Sequence, residues 1–346
     1  RGREILSLLR NISYIDVRAI CDVRSYSLSE ALKILPNVET ADNVEDIIKR
    51  DDIDAMIIAT PLNTHYSLIN ECINHNKHVY SESIMAFKIN EASSLLQKVT
   101  QIKSKIQIGH QRRYNPLTLL TESLVDKDII GKVISVYAQH NENINWKTET
   151  DDENEDPQIN WKLYRDTSLG LVSEYASHQI DIINRILNMT PSWVSGIGRL
   201  DYYKDSRDIY DNIYLIFDYP NGIKLQYKSI QFNDFGERYE QFIGEKGNIL
   251  LSIQYMSISC NDADSKSNII NSEAEKLGLS VSTDSNASFI VRNPKEQDDL
   301  YNAINSFAMS IMKNENNTNL RDSYNTTICC IKAQEAMDVG KKIRVI

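Results

Sequence analysis

Three polar residues with regular spacing predict a proton-transfer site. Glu174, His178 and Asp181 lie in the segment INWKLYRDTSLGLVSEYASHQID, residues 159–181, at positions i, i+4 and i+7 of a predicted helix. Side chains with this spacing share one helix face. A histidine that exchanges a proton near neutral pH can act as general base toward a hydroxyl, and neighbouring carboxylates fix its tautomer and raise its pKa. The alternative is a solvated or structural Glu–His contact on the helix.

The N-terminal third of the chain has the pattern of parallel strands joined by helices, because short apolar runs alternate with amphipathic segments. The predicted strands are 15–21, 54–60, 77–80 and 106–109, and the predicted helices are 27–35, 44–50, 64–74 and 90–102. In a doubly wound sheet, ligands bind at the carboxyl ends of the strands. The residues that follow the strands, at 22, 60–65, 80–84 and 110–113, are therefore predicted to line one crevice.

A glycine and an aspartate indicate a dinucleotide site. Gly2 and Arg3 open the helix-forming run before Asn11 and fit the end of a G-x-G-x-x-G phosphate loop, whose leading strand and first glycines we expect upstream of residue 1. Asp22 follows Gly2 by about 20 residues at the end of the next strand, where a carboxylate binds the adenosine ribose hydroxyls. A carboxylate there repels the 2′-phosphate of NADP, so the pattern favours NAD. The alternative for Asp22 is a plain turn residue.

Seven segments match one protein family in the family's order. They are ATPLNTHYSL (59–68), HVYSESIMAFKINEA (78–92), IGHQRRYNP (108–116), NWKLYRD (160–166), SEYASHQID (173–181), DNIYLIFDYPNGIKLQY (211–227) and GEKGNI (244–249). The chain resembles the Gfo/Idh/MocA family, named for glucose-fructose oxidoreductase, inositol dehydrogenase and a rhizopine catabolism protein. The resemblance implies an α/β fold with a Rossmann domain, a doubly wound parallel sheet, at 1–115. It also implies an α/β domain with an open, mostly antiparallel sheet for substrate binding and oligomerisation at 116–346.

The resemblance also assigns single residues. Those expected beside the dinucleotide in the first domain are Thr60, Pro61, Asn63, His65 and, at the nicotinamide ribose, Glu82. Gln111 and Arg112 are expected near the nicotinamide and the substrate, and Trp161 and Arg165 are expected to approach the cofactor from the second domain. Those expected to bind substrate are Ser83, Tyr114 and Asp181. His178 matches the family's catalytic histidine and Glu174 stands where the wider family has aspartate, so both are predicted to be catalytic. Core packing is the alternative for Trp161, and a surface ion pair is the alternative for Arg165.

One motif departs from the family pattern. Where the family has Glu-Lys-Pro, or Glu-Lys-Ala in similar sequences, this chain has Glu82-Ser83-Ile84. The family's lysine stabilises the developing alkoxide, and loss of such a donor typically lowers the rate about 100- to 1000-fold. Lys88 lies at a predicted helix start and is not expected to replace it. The sequence leaves open a slow enzyme, chemistry moved onto Glu174 and His178, and a protein that only binds.

Composition narrows the class of partners. The chain has 346 residues, a formal net charge of −10 and a pI near 5.2, without a run of Lys or Arg, so nucleic acid is not expected. The cysteines and histidines show no metal-ligand spacing, so no metal is expected, and the cysteines are interpreted as small core residues. No apolar segment reaches the length of a membrane span. We expect a cytoplasmic protein, with export left open because the true N-terminus is not visible.

The second domain is predicted from alternating strands and a few helices. A helix is expected at 117–128, strands at 193–198, 209–219, 223–231, 239–243 and 248–253, a helix from Pro294 and a final helix ending at Gly340. The polar stretch 262–286 is predicted to be a loop. The acidic stretch 149–156 is interpreted as a solvated loop, with a lid over the substrate as an alternative. Sheet faces pair in this family, so a homodimer or homotetramer is expected.

Three functions remain open from the sequence. The first is an NAD-dependent oxidoreductase that transfers hydride between a sugar, cyclitol or related polyol and the nicotinamide, with His178 taking the hydroxyl proton. The second is an NAD-retaining enzyme that cleaves glycosides by transient oxidation and elimination. The third is an impaired homologue that binds NAD and sugar without turnover. Net oxidation of the substrate separates the first from the other two.

Overall fold

Two compact units make up the protein. The computed structural model describes residues 1–99, 102–150, 156–284, 288–295, 298–315 and 319–346. Unit 1 contains residues 1–109 and 300–324, and unit 2 contains residues 110–299 and 325–346. These ranges differ from the predicted division between residues 115 and 116, since a C-terminal segment belongs to the first unit. Within the described ranges, no helix is both long and apolar enough to cross a membrane.

Residues 1–109 form parallel strands and the helices that connect them. The helices are α1 (Gly2–Leu9), α2 (Ser25–Ile34), α3 (Glu45–Ile48), α4 (His65–Asn74) and α5 (Ile89–Val99), and the strands are β1 (Ala19–Cys21), β2 (Glu39–Ala41), β3 (Ala55–Ile58), β4 (His78–Ser81) and β5 (Ile106–Ile108). β1 pairs with β2, and β3, β4 and β5 pair in that order, all in parallel. The predicted parallel α/β sheet is confirmed. Strand β2 was not predicted, because its residues are exposed or half-buried and form no apolar run.

The C-terminal segment of unit 1 is held by the edge of β5. The side-chain amide of Asn319 accepts a hydrogen bond from the N–H of Ile108 at 3.0 Å and donates to its carbonyl at 2.8 Å. Gln107 donates to the carbonyl of Ala303 at 2.8 Å. Leu320 is buried in the same core as Ile106 and Ile108. An edge strand leaves backbone groups unpaired, and these contacts satisfy part of that edge.

Unit 2 is built on one large sheet. Its helices are α6 (Pro116–Asp126), α7 (Asp156–Ile159), α8 (Ser177–Leu187) and α9 (Ala263–Lys276), followed in the chain by α10 (Asp299–Met312) and α11 (Leu320–Val339), which also contribute to unit 1. Its strands are β6 (Val133–Asn141), β7 (Trp193–Arg199), β8 (Asn212–Asp218), β9 (Lys224–Ile230), β10 (Arg238–Gly244), β11 (Gly247–Ser252), β12 (Tyr255–Cys260), β13 (Ser280–Thr283), β14 (Phe289–Arg292) and β15 (Ile343–Arg344).

These strands pair in the order β13-β14-β12-β11-β10-β6-β9-β8-β7-β15. Their pairing is antiparallel except between β6 and β9, which are parallel. The predicted open, mostly antiparallel sheet is confirmed.

The prediction of a loop at 262–286 was wrong. Most of that stretch forms α9 and β13, while residues 285 and 286 lie outside the described residues. Helix α9 buries Ile270 and Ala274, which are four residues apart, and most of its other residues are polar. Two apolar anchors are too few to produce a visible helical period. The helix predicted from Pro294 begins at Asp299. Residues 151–155 of the predicted acidic loop lie outside the described residues, and Asp156 begins α7.

Candidate active site

The helix that carries the predicted proton-transfer residues changes its winding at the site. Residues Val172–Ala176 form a π-helical turn that runs directly into α8. Glu174 lies in the π-helical turn, whereas His178 and Asp181 lie in the α-helix. The three residues therefore do not form the regular face that the sequence predicted. Single π-helical turns inside helices occur frequently at functional sites.

Asp181 is fully buried in an ion pair with Arg113. Arg113 donates from Nε and from a terminal nitrogen to the two carboxylate oxygens, the second bond measuring 2.7 Å, and Thr326 donates at 3.1 Å. His110 Nε2 lies 3.9 Å from the same carboxylate. Burial opposes ionisation, but Arg113 and His110 hold the pKa of Asp181 below its usual value. This environment is that of a structural ion pair and does not fit the predicted contact of Asp181 with substrate.

His178 is held beside this ion pair. Its ring is half-buried and packs edge-to-face on the ring of His110, with centroids 5.8 Å apart. His110 also approaches Asp181, so it contacts both His178 and Asp181 and links the two residues in space. The sequence placed His110 among the strand-end residues predicted to line the crevice and gave it no individual role.

Glu174 forms a second, separate ion pair. Its carboxylate, with 13% of the side chain exposed, lies 2.7 Å from Lys162 Nζ, whose side chain is 39% exposed. The ammonium also lies 5.5 Å from the ring centroid of Trp161 and 5.7 Å from that of Trp146. Trp161 was expected to approach the cofactor, and within unit 2 its ring lies beside the lysine. Neither Lys162 nor Trp146 was singled out from the sequence.

An aromatic and acidic cluster lies next to Glu174 in the chain. The rings of Tyr175 and His140 stack at 3.8 Å. The Tyr175 hydroxyl donates to Glu142 and accepts a hydrogen bond from Trp146 Nε1 at 3.2 Å. Burial lowers the pKa of His140, and the contact with His140 lowers the pKa of Glu142. This cluster was missed by the sequence analysis, although its residues at 140, 142 and 146 surround the end of β6.

Arg112 belongs to a buried network rather than to an open surface. Its guanidinium donates to both carboxylate oxygens of Glu240, one at 2.8 Å, and Gln179 also donates to Glu240. Burial and the nearby Arg112 lower the pKa of Arg238 to about 10. Gln111 Oε1 is buried without a hydrogen-bond partner among the described residues. Gln111 therefore retains an acceptor for a ligand, whereas the charge of Arg112 is already paired.

Two further predicted residues have simple surroundings. Arg165 donates to the carbonyl of Asp208 and to the carboxylate of Asp338, each at 2.8 Å, and lies over the ring of Tyr210 at 4.4 Å. These are the contacts of the surface ion pair that was the alternative for Arg165. Tyr114 is half-buried at the end of the 3₁₀ turn Gln111–Tyr114.

In unit 1, the loops after β3 and β4 are joined by His65. The ring is buried, with Nδ1 2.8 Å from the carbonyl oxygen of Ile84 and Nε2 3.0 Å from that of Thr60. Thr60 and Thr64 form a hydroxyl–hydroxyl bond at 2.7 Å around the 3₁₀ turn that Pro61 precedes. His65 thus fixes the backbone of both loops, while Asn63 is exposed at the turn.

The strand ends of β4 and β5 meet at Glu82. Its carboxylate lies 3.1 Å from Arg1 Nε with 15% of the side chain exposed. A Cβ atom at Gly109 would approach the Tyr80 hydroxyl at 3.1 Å and the backbone of Glu82 at 3.2 Å, so glycine permits this close approach. Ser83 follows directly, and the Ser83–Ile84 peptide bond is cis. Lys88 is exposed and 4.0 Å from Glu91.

The groups of unit 1 fit a dinucleotide. Helix α1 begins at Gly2 and Arg3, and the first amide groups of a helix have no partner within it, which suits a diphosphate. The Asp22 carboxylate follows β1 and accepts a hydrogen bond from the N–H of Arg24 at 2.9 Å, while one of its oxygens is 3.9 Å from Arg24 Nε. Asp22 can accept this hydrogen bond within the turn and also bind the ribose hydroxyls, because a carboxylate has two oxygens.

Family comparisons match both units. A model described as an oxidoreductase family with an NAD-binding Rossmann fold matches residues 2–110, and a model of the GFO/IDH/MocA C-terminal domain matches residues 119–250. A protein called oxidoreductase P35 from Formosa agariphila is 29% identical over 223 residues, which are 63% of this chain and 65% of the relative. A glycosyl hydrolase family 109 protein from a Shewanella species is 23% identical over 220 residues, 59% of this chain and 48% of the relative. The chain therefore spans less than two thirds of these relatives.

A solved structure shows the same fold along the whole chain. The scyllo-inositol dehydrogenase of Lactobacillus casei, crystallised with NAD(H) and scyllo-inositol, superposes with a TM-score of 0.75 at 20% sequence identity. The match covers 100% of this chain and 96% of that protein. At this identity, the likeness concerns the fold.

Proposed function

Because the chain belongs to the GFO/IDH/MocA oxidoreductase family, we propose that it is an NAD-dependent enzyme that oxidises a sugar, a cyclitol or a related polyol. The observation that carries the proposal is the set of contacts that holds the His178 ring. A half-buried imidazole lies against His110, which in turn is held at the buried Asp181–Arg113 pair. A ring fixed in this way can accept a proton in a defined direction. The dehydrogenase and oxidoreductase similarities support the reaction class.

The residues divide the chemistry between them. NAD, when bound, accepts the hydride from the carbinol carbon. His178 takes the proton of the hydroxyl, and its ring orientation is set by His110 and Asp181. Glu174 places a carboxylate on the same helical segment and holds the ammonium of Lys162 at 2.7 Å. Glu82, Asp22 and the start of α1 are the groups of unit 1 that would hold the cofactor.

Replacement of His178 tests this function. His178→Asn should lower the turnover number roughly 100- to 10,000-fold, while NAD affinity stays nearly unchanged, because the base is lost and the cofactor residues remain. The assay is formation of NADH with a panel of cyclitols and sugars, with NAD binding measured separately. His75→Asn is the matched control, since His75 is a partly exposed histidine at the C-terminal cap of α4 that is paired with Glu71.

The outcome of the panel decides between the functions. Unchanged turnover in His178→Asn would remove His178 from the mechanism. A wild-type protein that binds NAD but reduces it with none of the polyols would contradict the dehydrogenase proposal and favour a binding protein. Ser83, in place of the family's lysine, supports that alternative.

Glycoside cleavage is the second candidate. It is favoured by the similarity to glycosyl hydrolase family 109 proteins, which is of the same order as the similarity to oxidoreductases. In this reaction, oxidation is transient and NADH does not accumulate. Chromatography of sugar products from aryl and natural glycosides, run on the same samples as the NADH assay, separates the two functions, because release of a leaving group without net NADH indicates cleavage.

We also propose that a second copy of the chain covers the exposed face of β7 and β8. Trp193 and Ile197 on β7 and Tyr214 and Ile216 on β8 are large apolar side chains with exposed fractions of 39–63%. Ile197 and Tyr214 are direct cross-strand neighbours. A continuous apolar surface of this kind on one sheet face is self-complementary and suits a twofold dimer.

A further inference from the structure

Lys162 is held in place more firmly than an ordinary surface lysine. Its ammonium forms a 2.7 Å ion pair with Glu174, whose side chain is mostly buried. Two indole rings, of Trp146 and Trp161, lie within 5.7 Å of the same nitrogen. A lysine side chain loses much rotamer freedom when it is fixed, so a surface ion pair alone rarely holds one. The aromatic faces add attraction and restrict the directions in which the ammonium can move.

The proposed reaction needs a fixed positive charge. As the proton leaves the substrate hydroxyl, negative charge develops on the oxygen, and a prearranged donor stabilises that charge most effectively where water is excluded. Unit 1 has the uncharged Ser83 after Glu82, and its nearby Lys88 is exposed and directed to Glu91. In unit 2, Arg112 and Arg113 are each committed to both oxygens of a buried carboxylate.

Lys162 meets the remaining requirements. Its side chain keeps 39% exposure, so the ammonium can donate to a ligand while it remains beside Glu174. Glu174, which holds the ammonium, lies in the π-helical turn that runs directly into the α-helix of His178, so the cation and the base are carried by one helical segment. We propose that Lys162 is the alkoxide-stabilising cation of the oxidation. This inference rests on the proposed dehydrogenase function.

The charges balance without a further reactant. The C–H bond of the carbinol breaks as its hydride passes to NAD, and the O–H bond breaks as its proton passes to His178. A carbonyl, reduced cofactor and an imidazolium result. Lys162 stays protonated throughout, because it donates a hydrogen bond to the oxygen and does not exchange its proton.

The experiment separates a catalytic from a structural lysine. Lys162→Met removes the charge and keeps the apolar stem over the tryptophans, whereas Lys162→Arg keeps a charge. We expect the turnover number of Lys162→Met to fall about 100- to 1000-fold with little change in KM or in NAD affinity. Lys162→Arg should keep most of the activity that Lys162→Met loses. Lys332→Met is the matched control, because Lys332 forms a 2.8 Å pair with Glu335 away from these tryptophans.

Chemical rescue by added amines distinguishes the two roles, because turnover recovers only if the missing ammonium takes part in the reaction. Added methylammonium or ethylammonium should raise the turnover of Lys162→Ala at least tenfold, with saturation, and should leave Lys332→Ala unchanged. This arm also decides the matter if Lys162→Met unfolds at a lower temperature than the wild type. Failure of rescue, together with a Lys162→Met variant that differs from wild type only in stability or KM, would overturn the inference.

The two proposals fail in different ways. A wild-type protein that produces no NADH with any polyol contradicts the dehydrogenase function and, with it, the role of Lys162. A wild-type protein that produces NADH at a rate shared by Lys162→Met contradicts only the role of Lys162 and leaves the function intact.

Discussion

Replacement of Asp181 by Asn should strongly destabilise unit 2. The substitution keeps the shape of the side chain but removes the charge that Arg113 pairs with, in a place where Asp181 has 0% exposure and Arg113 has 5%. Removing one partner of a buried ion pair typically costs about 3–5 kcal/mol, because the other charge is left without compensation. At about 2–4 °C per kcal/mol for a domain of this size, the Tm should fall by about 6–20 °C.

Thermal unfolding followed by circular dichroism, with a urea titration on the same variants, measures this loss. Asp218→Asn is the control, because Asp218 forms exposed pairs with Lys224 at 2.8 Å and Lys342 at 3.0 Å. Such surface pairs contribute at most about 1 kcal/mol. A Tm for Asp181→Asn within about 2 °C of the wild type, combined with a raised KM, would refute the structural assignment and restore the predicted contact with substrate.

The pH dependence gives an independent check on the same pair. The pKa of Asp181 is lowered in the folded protein, where Arg113 and His110 outweigh the effect of burial. Its contribution to stability is therefore complete above the unfolded pKa of about 3.9 and is lost as the pH falls through the lower folded value. The difference in the free energy of unfolding between wild type and Asp181→Asn should be constant from pH 7 to about pH 5 and should shrink below about pH 4.

Two other predictions concern the cofactor and the assembly. The full-length protein should bind NAD more tightly than NADP, and tighter binding of NADP by the wild type would contradict this. Asp22→Ala should narrow the ratio of the two dissociation constants about tenfold. The substitution removes the repulsive carboxylate and leaves Arg24, whose Nε lies 3.9 Å from that carboxylate in the wild type. Ile197→Glu should shift the protein toward monomer in sedimentation velocity, whereas Val23→Glu, at a more exposed site in unit 1, should not. Equal masses for both variants would place the interface elsewhere.

The sequence was sufficient for the fold and the family. Apolar runs that alternate with amphipathic helices predicted the parallel strands β1, β3, β4 and β5, and the family segments predicted the family and the α/β fold class, all of which is confirmed. Local patterns succeed here because strands and helices bury regular sets of side chains. The same patterns failed at α9, where two buried residues anchor a mostly polar helix.

The candidate site was predicted only in part. The positions of Glu174, His178 and Asp181 follow from the sequence, but their separate environments do not. Asp181 faces Arg113, which lies 68 residues away in the chain, and Glu174 faces Lys162 across a π-helical turn. Spacing along one helix describes neighbours on its own surface and contains no information on which other elements pack against it.

The tertiary structure alone decided which charges are committed and which remain available. The sequence singled out Arg112 and Arg165 as residues expected near the cofactor and did not single out Lys162. In the folded chain, Arg112 pairs with a buried carboxylate and Arg165 pairs with a surface aspartate. Lys162 pairs with Glu174, and its side chain stays partly exposed beside two tryptophans. The reason is physical: a buried charge must be paired, so the fold, by choosing what is buried, selects the cations that remain for chemistry.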